Sequence, residues 1–175
     1  RKVVESRRSV RKFTDRPIPE DILNACLDLA LLAPNSSNLQ PWTFYVIQDA
    51  AKKKQIVKAC LGQLAAKTAS ELIVCVARTD RIDEMAKRNI NEFPLPEVPA
   101  MVKKYYTFIP YNYKTGYFNS LGNFKKVAFK LARTLDKQLP VTAFSTDDAK
   151  LWATKTTALA CENLVLALRA YGFDS

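Results

Sequence analysis

The sequence predicts a mixed fold, rich in helix, with a small amount of strand. Three observations carry that reading. Two short runs of β-formers, Trp42–Ile47 and Leu72–Ala77, stand apart from each other. Helical patterns precede, separate and follow them. A long apolar-striped pattern runs from Asp147 to Tyr171.

The first helix is expected after Pro19, where Glu20 and Asp21 suit a first turn. Ile22, Leu23, Cys26, Leu27, Leu29 and Ala30 give it a buried face, and it stops near Ala33–Pro34. A polar loop, Pro34-Asn35-Ser36-Ser37-Asn38-Leu39-Gln40-Pro41, leads into the first strand. Ala50 to Leu61 reads as a helix with Lys52, Lys53 and Lys54 outward. Leu72–Ala77 is a continuous apolar run, the signature of a strand covered on both faces. A weaker helix follows from Ile82 to Ile90. Four prolines and eight aromatics from Phe93 to Phe118 predict an irregular excursion or lid, whose aromatics either wall a site or pack it onto the body. The final pattern places Leu151, Thr154, Ala158, Cys161, Val165 and Leu168 on one stripe, extended by Leu159, Leu164 and Leu166, so the helix is expected to be buried nearly all round. Thr146 is its candidate cap and Gly172 its terminator. Two strands alone do not make a stable sheet, so other chains or further residues are expected to complete it.

The chain has 175 residues, 48% of them apolar, with 27 Lys+Arg against 17 Asp+Glu and a net charge of +10. That is globular composition and suits one domain. No apolar run approaches the roughly 20 residues that span a bilayer, and the first residues carry no apolar signal-peptide core. The sequence starts without Met, which suggests trimming at that end. It contains no His, which excludes Ser-His and Cys-His catalysis and His-ligated metal. Its four glycines lie too far apart for a phosphate-cradling glycine motif. Cys26, Cys60, Cys75 and Cys161 sit among apolar residues and read as reduced, buried thiols of a cytoplasmic protein.

The positive charge is local. Residues 1–16 carry a net +5 and residues 103–137 a net +7. In the second patch Lys125, Lys126, Lys130, Arg133 and Lys137 recur at helical spacing, beside apolar Phe124, Val127, Phe129 and Leu131, and read as a solvated helix face. The first patch is compact. Arg7, Ser9 and Arg11 fall on one side of an extended Arg7-Arg8-Ser9-Val10-Arg11, where guanidinium forks and a hydroxyl suit a phosphate. The loop Asn35–Gln40 offers amide and hydroxyl donors and acceptors that suit the edge of a heteroaromatic ligand; its alternative is a self-satisfied turn.

Arg-Arg-Ser-Val-Arg at residues 7–11, Pro-Asn-Ser-Ser-Asn-Leu-Gln-Pro-Trp at 34–42, and Lys155–Ala167 followed by Tyr171-Gly172-Phe173 together resemble the FMN-dependent nitroreductase family, from about Val4 to Ser175. The resemblance implies an α+β fold: a mixed, mostly antiparallel sheet flanked by helices, with a long central dimer-interface helix. It implies a homodimer with FMN at the subunit interface and NAD(P)H as co-substrate. Arg7 and Ser9 would hold the FMN phosphate, with Arg8 near the ribityl chain. Arg11 would stand by the N1–C2 carbonyl edge, where a fixed cation favours the charge that reduction develops. Ser36, Ser37, Asn38 and Gln40 match the family's polar loop, and Gln63 is a further candidate for the ring edge. The implied activity is ping-pong hydride transfer through flavin N5 to a small acceptor such as a nitroaromatic or quinone. No metal and no protein catalytic group are required, Arg11 acting as electrostatic support. Residues 93–118 would set acceptor choice. Members of the family normally continue past this point, so the sequence is expected to be part of a longer chain. The alternatives are a non-catalytic flavin-binding protein and, less favoured, a basic nucleic-acid-binding module; neither nucleic acid nor membrane is the expected partner.

Overall fold

The structure is a computed structural model that describes residues 1–135 and 142–175. Helix α1 (Lys2–Ser6) is followed by an extended stretch, then α2 (Glu20–Leu31), β1 (Trp42–Ile47), α3 (Ala50–Ala59), α4 (Leu64–Thr68), β2 (Leu72–Ala77), α5 (Ile82–Asn91), α6 (Ala100–Phe108), α7 (Ser120–Thr134) and α8 (Thr146–Ala170). β1 and β2 form a two-stranded sheet. The Arg78 N–H, just past β2, donates to the Pro41 carbonyl just before β1 at 2.9 Å, so the strands run antiparallel.

The chain divides into two compact units. The first comprises residues 1–34, 43–76 and 157–175. Its core joins Cys26 and Ala30 of α2 to Leu164, Ala167 and Leu168 of α8, with Phe44, Ile73 and Phe173 packed around them. The second comprises residues 35–42 and 77–156, with a core of Leu39, Ile82, Met85, Ala86 and Ile109 flanked by Tyr106, Tyr113 and Trp152. Both strands, α2, α3, α5 and α8 lie where periodicity and β-propensity place them; α1, α4 and α6 are additional.

Several expectations are corrected. β2 is not covered on both faces: Cys75 and Ala77 are exposed, because a two-stranded sheet leaves one side open among the described residues. Of the cysteines only Cys26 is buried; Cys60 and Cys75 are exposed. Lys53 does not point outward but donates to the Ser70 carbonyl at 2.6 Å. Residues 93–118 are less irregular than expected: they supply α6 and the buried Ile109, since Pro99 stands immediately before the new helix and starts it. The α7 stripe is turned. Phe129 faces inward against Phe144 (5.2 Å between rings), whereas Phe124, Val127 and Leu131 are exposed. Lys125 is not solvated either; its ammonium donates to the carbonyls of Tyr111, Asn112 and Lys114. Lys137 lies outside the described residues. Gly122 is obligatory in α7, because a Cβ there would come within 2.1 Å of the Phe144 carbonyl oxygen.

α8 is not buried all round. Its inward residues are Ala149, Ala153, Thr156, Thr157, Ala160, Leu164, Ala167 and Leu168, while Leu151 and Leu159 are exposed. The buried side is the one with the smaller side chains, which let other elements approach closely. The cap also sits one residue earlier than Thr146. Ser145 Oγ accepts from the Asp148 N–H (3.1 Å), and the Asp148 carboxylate accepts from the Phe144 N–H (3.0 Å). At the other end Gly172 has φ +83°; the Gly172 N–H donates to Arg169 and the Phe173 N–H to Leu168 (2.9 Å), a Schellman closure that presses Phe173 onto the core.

Gly172→Ala is expected to lower stability by about 1–2 kcal/mol, read as a fall in melting temperature, because an L side chain must adopt the left-handed region. The Asp148 carboxyl is held below its usual range, first by Ser145 and then by the Phe144 N–H. A depressed carboxylate contributes stability that is full above about pH 4 and is lost as the pH falls. Urea titrations of wild type and Asp148→Asn should therefore differ at neutral pH and converge in acid.

Candidate functional site

The polar loop Asn35–Gln40 is an ordered, strained element. Ser37 (φ 60°), Asn38 (φ 49°) and Gln40 (φ 41°) all occupy the left-handed region. Such positions persist only where the surroundings over-determine them, and they concentrate at ligand sites. Here the restraints are explicit. Leu39, 1% exposed, is driven into the second unit's core, and the neighbouring Pro41 is buried as well. The Asn35 side chain accepts from the Gln40 N–H at 2.9 Å. Asn89 on α5 grips the loop from outside: its Nδ2 donates to the carbonyls of Ser37 (3.2 Å) and Asn38 (2.9 Å), and its Oδ1 accepts from Asn38 Nδ2 (2.8 Å). The Ser37 hydroxyl shares a hydrogen bond with Tyr105 on α6 (2.5 Å). Ser36 bonds the Tyr113 hydroxyl, whose pKa is nevertheless raised because burial outweighs that bond. Trp42 is buried, and among the described residues its indole Nε1 has no hydrogen-bond partner.

Asn38, Gln40 and Asn89 line a cavity of about 280 Å³ with Met85, Tyr106 and the Arg88–Glu92 ion pair (2.7 Å). Amide donors and acceptors on one wall and an aromatic ring on another suit a planar heteroaromatic with polar edges. Sequence reasoning found the loop and placed Tyr105 among the aromatics that could wall a site, but missed Asn89 and the bond of Tyr105 to Ser37. Asn89 carried a signal, since asparagine is a poor helix interior residue and needs a local reason to be there.

The arginine segment lies in the first unit. Arg7 leaves α1 in an extended conformation, and the backbone bends at Arg11 and Lys12. Arg8 donates to the carbonyls of Glu5 (2.8 Å) and Arg7 (2.7 Å), bracing the turn out of α1. Ser9 and Arg11 are exposed and Arg7 half-buried, and among the described residues neither Arg7 nor Arg11 is ion-paired. Both thus carry permanent charge without a competing carboxylate among the described residues. Val10 is fixed by its N–H to the Ser175 carbonyl (3.0 Å), and Arg169 ties α1 to α8 through Ser6 (3.0 Å). Gln63 is exposed in the same unit, at the start of α4 after the left-handed pair Leu61–Gly62. The predicted residues therefore fall into two sets, Arg7, Arg8, Ser9, Arg11 and Gln63 in one unit, and Ser36, Ser37, Asn38 and Gln40 in the other.

No group of acidic or cysteine residues could hold a metal among the described residues. Although Cys75 as a residue is exposed, desolvation of its sulfur, and then its hydrogen bond with Cys161, push its thiol up to about 12.

The profile of the nitroreductase family matches residues 4–175, and the chain belongs to that family. It is 39% identical over 71 residues to a Thermus thermophilus NADH dehydrogenase, covering 41% of this chain and 35% of that one. To a Pseudomonas putida 4-nitrobenzoate reductase it is 43% identical over 60 residues, covering 34% and 26%. These matches span well under half the length of the curated relatives. A protein from Exiguobacterium sibiricum, assigned as a nitroreductase and solved in complex with FMN, superposes with a TM-score of 0.64 at 21% identity, over 99% of this chain and 70% of that one. The fold is thus the α+β nitroreductase-like one.

Asn89→Ala removes three hydrogen bonds to the loop and should cost about 2–3 kcal/mol of stability in denaturant titrations. Lys87→Ala, on the exposed side of the same helix, should change it by less than about 0.5 kcal/mol.

Proposed function

We propose that this chain forms the FMN site of an NAD(P)H-dependent oxidoreductase that reduces a small acceptor such as a nitroaromatic or quinone. The observation that carries the reading is the loop Asn35–Gln40, fixed in left-handed geometry by Leu39, Asn35 and Asn89, with Asn38 and Gln40 lining a cavity. Family membership and the FMN-containing neighbour support it.

The residues fit the group. Arg7 and Arg11 offer permanent charge with no competing carboxylate among the described residues, and Ser9 adds a neutral donor, so the three match a phosphate monoester and an anionic ring edge. Arg8 supports this indirectly, by holding the backbone from which Arg7 projects. Ser36, Ser37, Asn38 and Gln40 supply the polar edge contacts, with Gln63 as a further donor. When bound, FMN supplies two-electron redox chemistry, which is why no protein acid, base or nucleophile is needed. Arg11 places a fixed positive charge where negative charge develops.

The reading includes a homodimer. The exposed apolar residues Leu151 and Leu159 on α8 give a second copy a face to cover. It treats the two units as parts of one nitroreductase-like domain and places the protein in the cytoplasm, where its four free thiols stay reduced.

Purified full-length protein should be yellow, or become so on titration with FMN, and should oxidise NADH or NADPH in the presence of a nitroaromatic. Arg7→Ala and Arg11→Ala should each weaken FMN binding about 10- to 100-fold, the loss of one charge-assisted pair. Phe108→Ala, an exposed α6 position, should shift acceptor preference and leave flavin content unchanged. A colourless protein without affinity for FMN overturns the proposal. A yellow protein that oxidises neither nucleotide leaves only a flavin-binding role.

A further inference from the structure

Three basic residues of α7 share a face with its inward-packing phenylalanine. Lys126, Phe129, Lys130, Arg133 and Thr134 fall within about 140° of one another around the helix axis. With Phe144, which precedes α8, they line an open cavity of about 560 Å³. Phe129 and Phe144 are half-buried and meet edge to face, with 5.2 Å between ring centroids, and supply its apolar wall. Lys126, Lys130 and Arg133 are exposed and supply its cationic wall. These residues all belong to the second unit, and none of them lines the cavity beside the amide loop.

The cations on this face repel one another. Lys126 and Lys130 stand four residues apart and Lys130 and Arg133 three, the spacings at which like charges destabilise a helix. Elsewhere carboxylates stand beside the cations: Glu92 pairs with Arg88, Asp83 with Lys114 and Asp174 with Arg169. Lys126, Lys130 and Arg133 are in no ion pair among the described residues. From Val98 to Leu135 the sequence has seven basic residues and no Asp or Glu. Asp148 feels the charge of Lys126, but its hydrogen bonds go to Ser145 and the Phe144 N–H. Lys125 adds a further positive charge to the same helix, fixed on backbone carbonyls.

Unpaired cations beside two phenyl rings are complementary to an anion that carries an apolar body. Charge alone suits a hydrated ion, and rings alone suit a hydrocarbon; the two walls together select a molecule with both parts. Arg133 and Lys130 are helix neighbours, and a guanidinium fork beside an ammonium matches a carboxylate head. The volume lies within the range of pockets that enclose small organic ligands. We propose that this cavity binds an organic carboxylate with an apolar body, acyl or aryl. The head rests on Lys130 and Arg133 and the body lies against Phe129 and Phe144, while Lys126 adds attraction at longer range. The proposal is independent of the flavin reading.

Calorimetric titration of the full chain with octanoate and with 2-naphthoate tests it, each beside its neutral alcohol, 1-octanol or 2-naphthalenemethanol. At least one carboxylate should bind about tenfold or more tightly than its alcohol, and more weakly as salt rises. Which of the two binds shows whether the body is a chain or a ring. Acetate, the head without the body, should bind at least about a hundredfold more weakly. Lys130→Gln/Arg133→Gln, both at exposed positions, should weaken binding about tenfold. Lys103→Gln/Lys104→Gln, on α6 and outside the cavity, should leave it unchanged. Three results overturn the proposal: neither carboxylate binds, the alcohols bind as tightly as the acids, or the Lys130/Arg133 double variant, folded by circular dichroism, binds as well as wild type. A basic face that is merely solvated gives the first of them.

Discussion

The burial of Leu39 is the constraint on which the candidate site depends. It is the one apolar side chain in a run of amides and hydroxyls, and it is almost wholly withdrawn from water into the core built by α5 and the turn at Ile109. Sinking it fixes the loop at its centre. The residues on either side must then turn back on themselves, which places Ser37, Asn38 and Gln40 in left-handed conformations that cost of order 1 kcal/mol or more each. Burying one leucine returns roughly 2 kcal/mol. The remainder comes from hydrogen bonds, chiefly those of Asn35 and Asn89. A loop held this way presents its polar groups in a defined array before any ligand arrives, which lowers the ordering cost of binding.

The helices that frame the loop are positioned by the same economy of side chains. α5 supplies Met85 and Ala86 to the core and Asn89 to the loop from adjacent turns, so packing and polar grip are coupled through one element. α6 does likewise with Tyr106 in the core margin and Tyr105 on Ser37. The aromatics of residues 93–118 therefore divide by role. Tyr105, Tyr106 and Tyr113 serve the loop and its core. Tyr117 and Phe118 face water.

The segments of the candidate site stood out in advance because their signals are local. Three motifs in a fixed order located the arginine segment, the amide loop and the long helix, and Pro34 and Pro41 marked where the loop begins and ends. Asn89 was legible only as an asparagine out of place inside a helix; what it holds was not, since its three bonds reach residues about fifty positions away. The rotation of α7 was hidden for a related reason. Phe124 and Phe129 are chemically alike, and only the arrival of Phe144 from beyond the helix decides which one packs inward.

By itself the sequence determined the order of helices and strands, the apolar face of α2 except for Leu29, which is exposed rather than buried, the halt of α8 at Gly172 and the polar loop before Trp42. These follow from near-neighbour sterics and hydrogen bonding, which act within a turn or two of the chain. The tertiary structure alone decided which side of α8 is covered, that Ser145 rather than Thr146 caps it, that Lys53 and Lys125 turn inward onto backbone carbonyls, and that a left-handed loop is gripped by a distant asparagine. Each depends on a partner brought close by folding, and a partner many residues away leaves no mark on local periodicity.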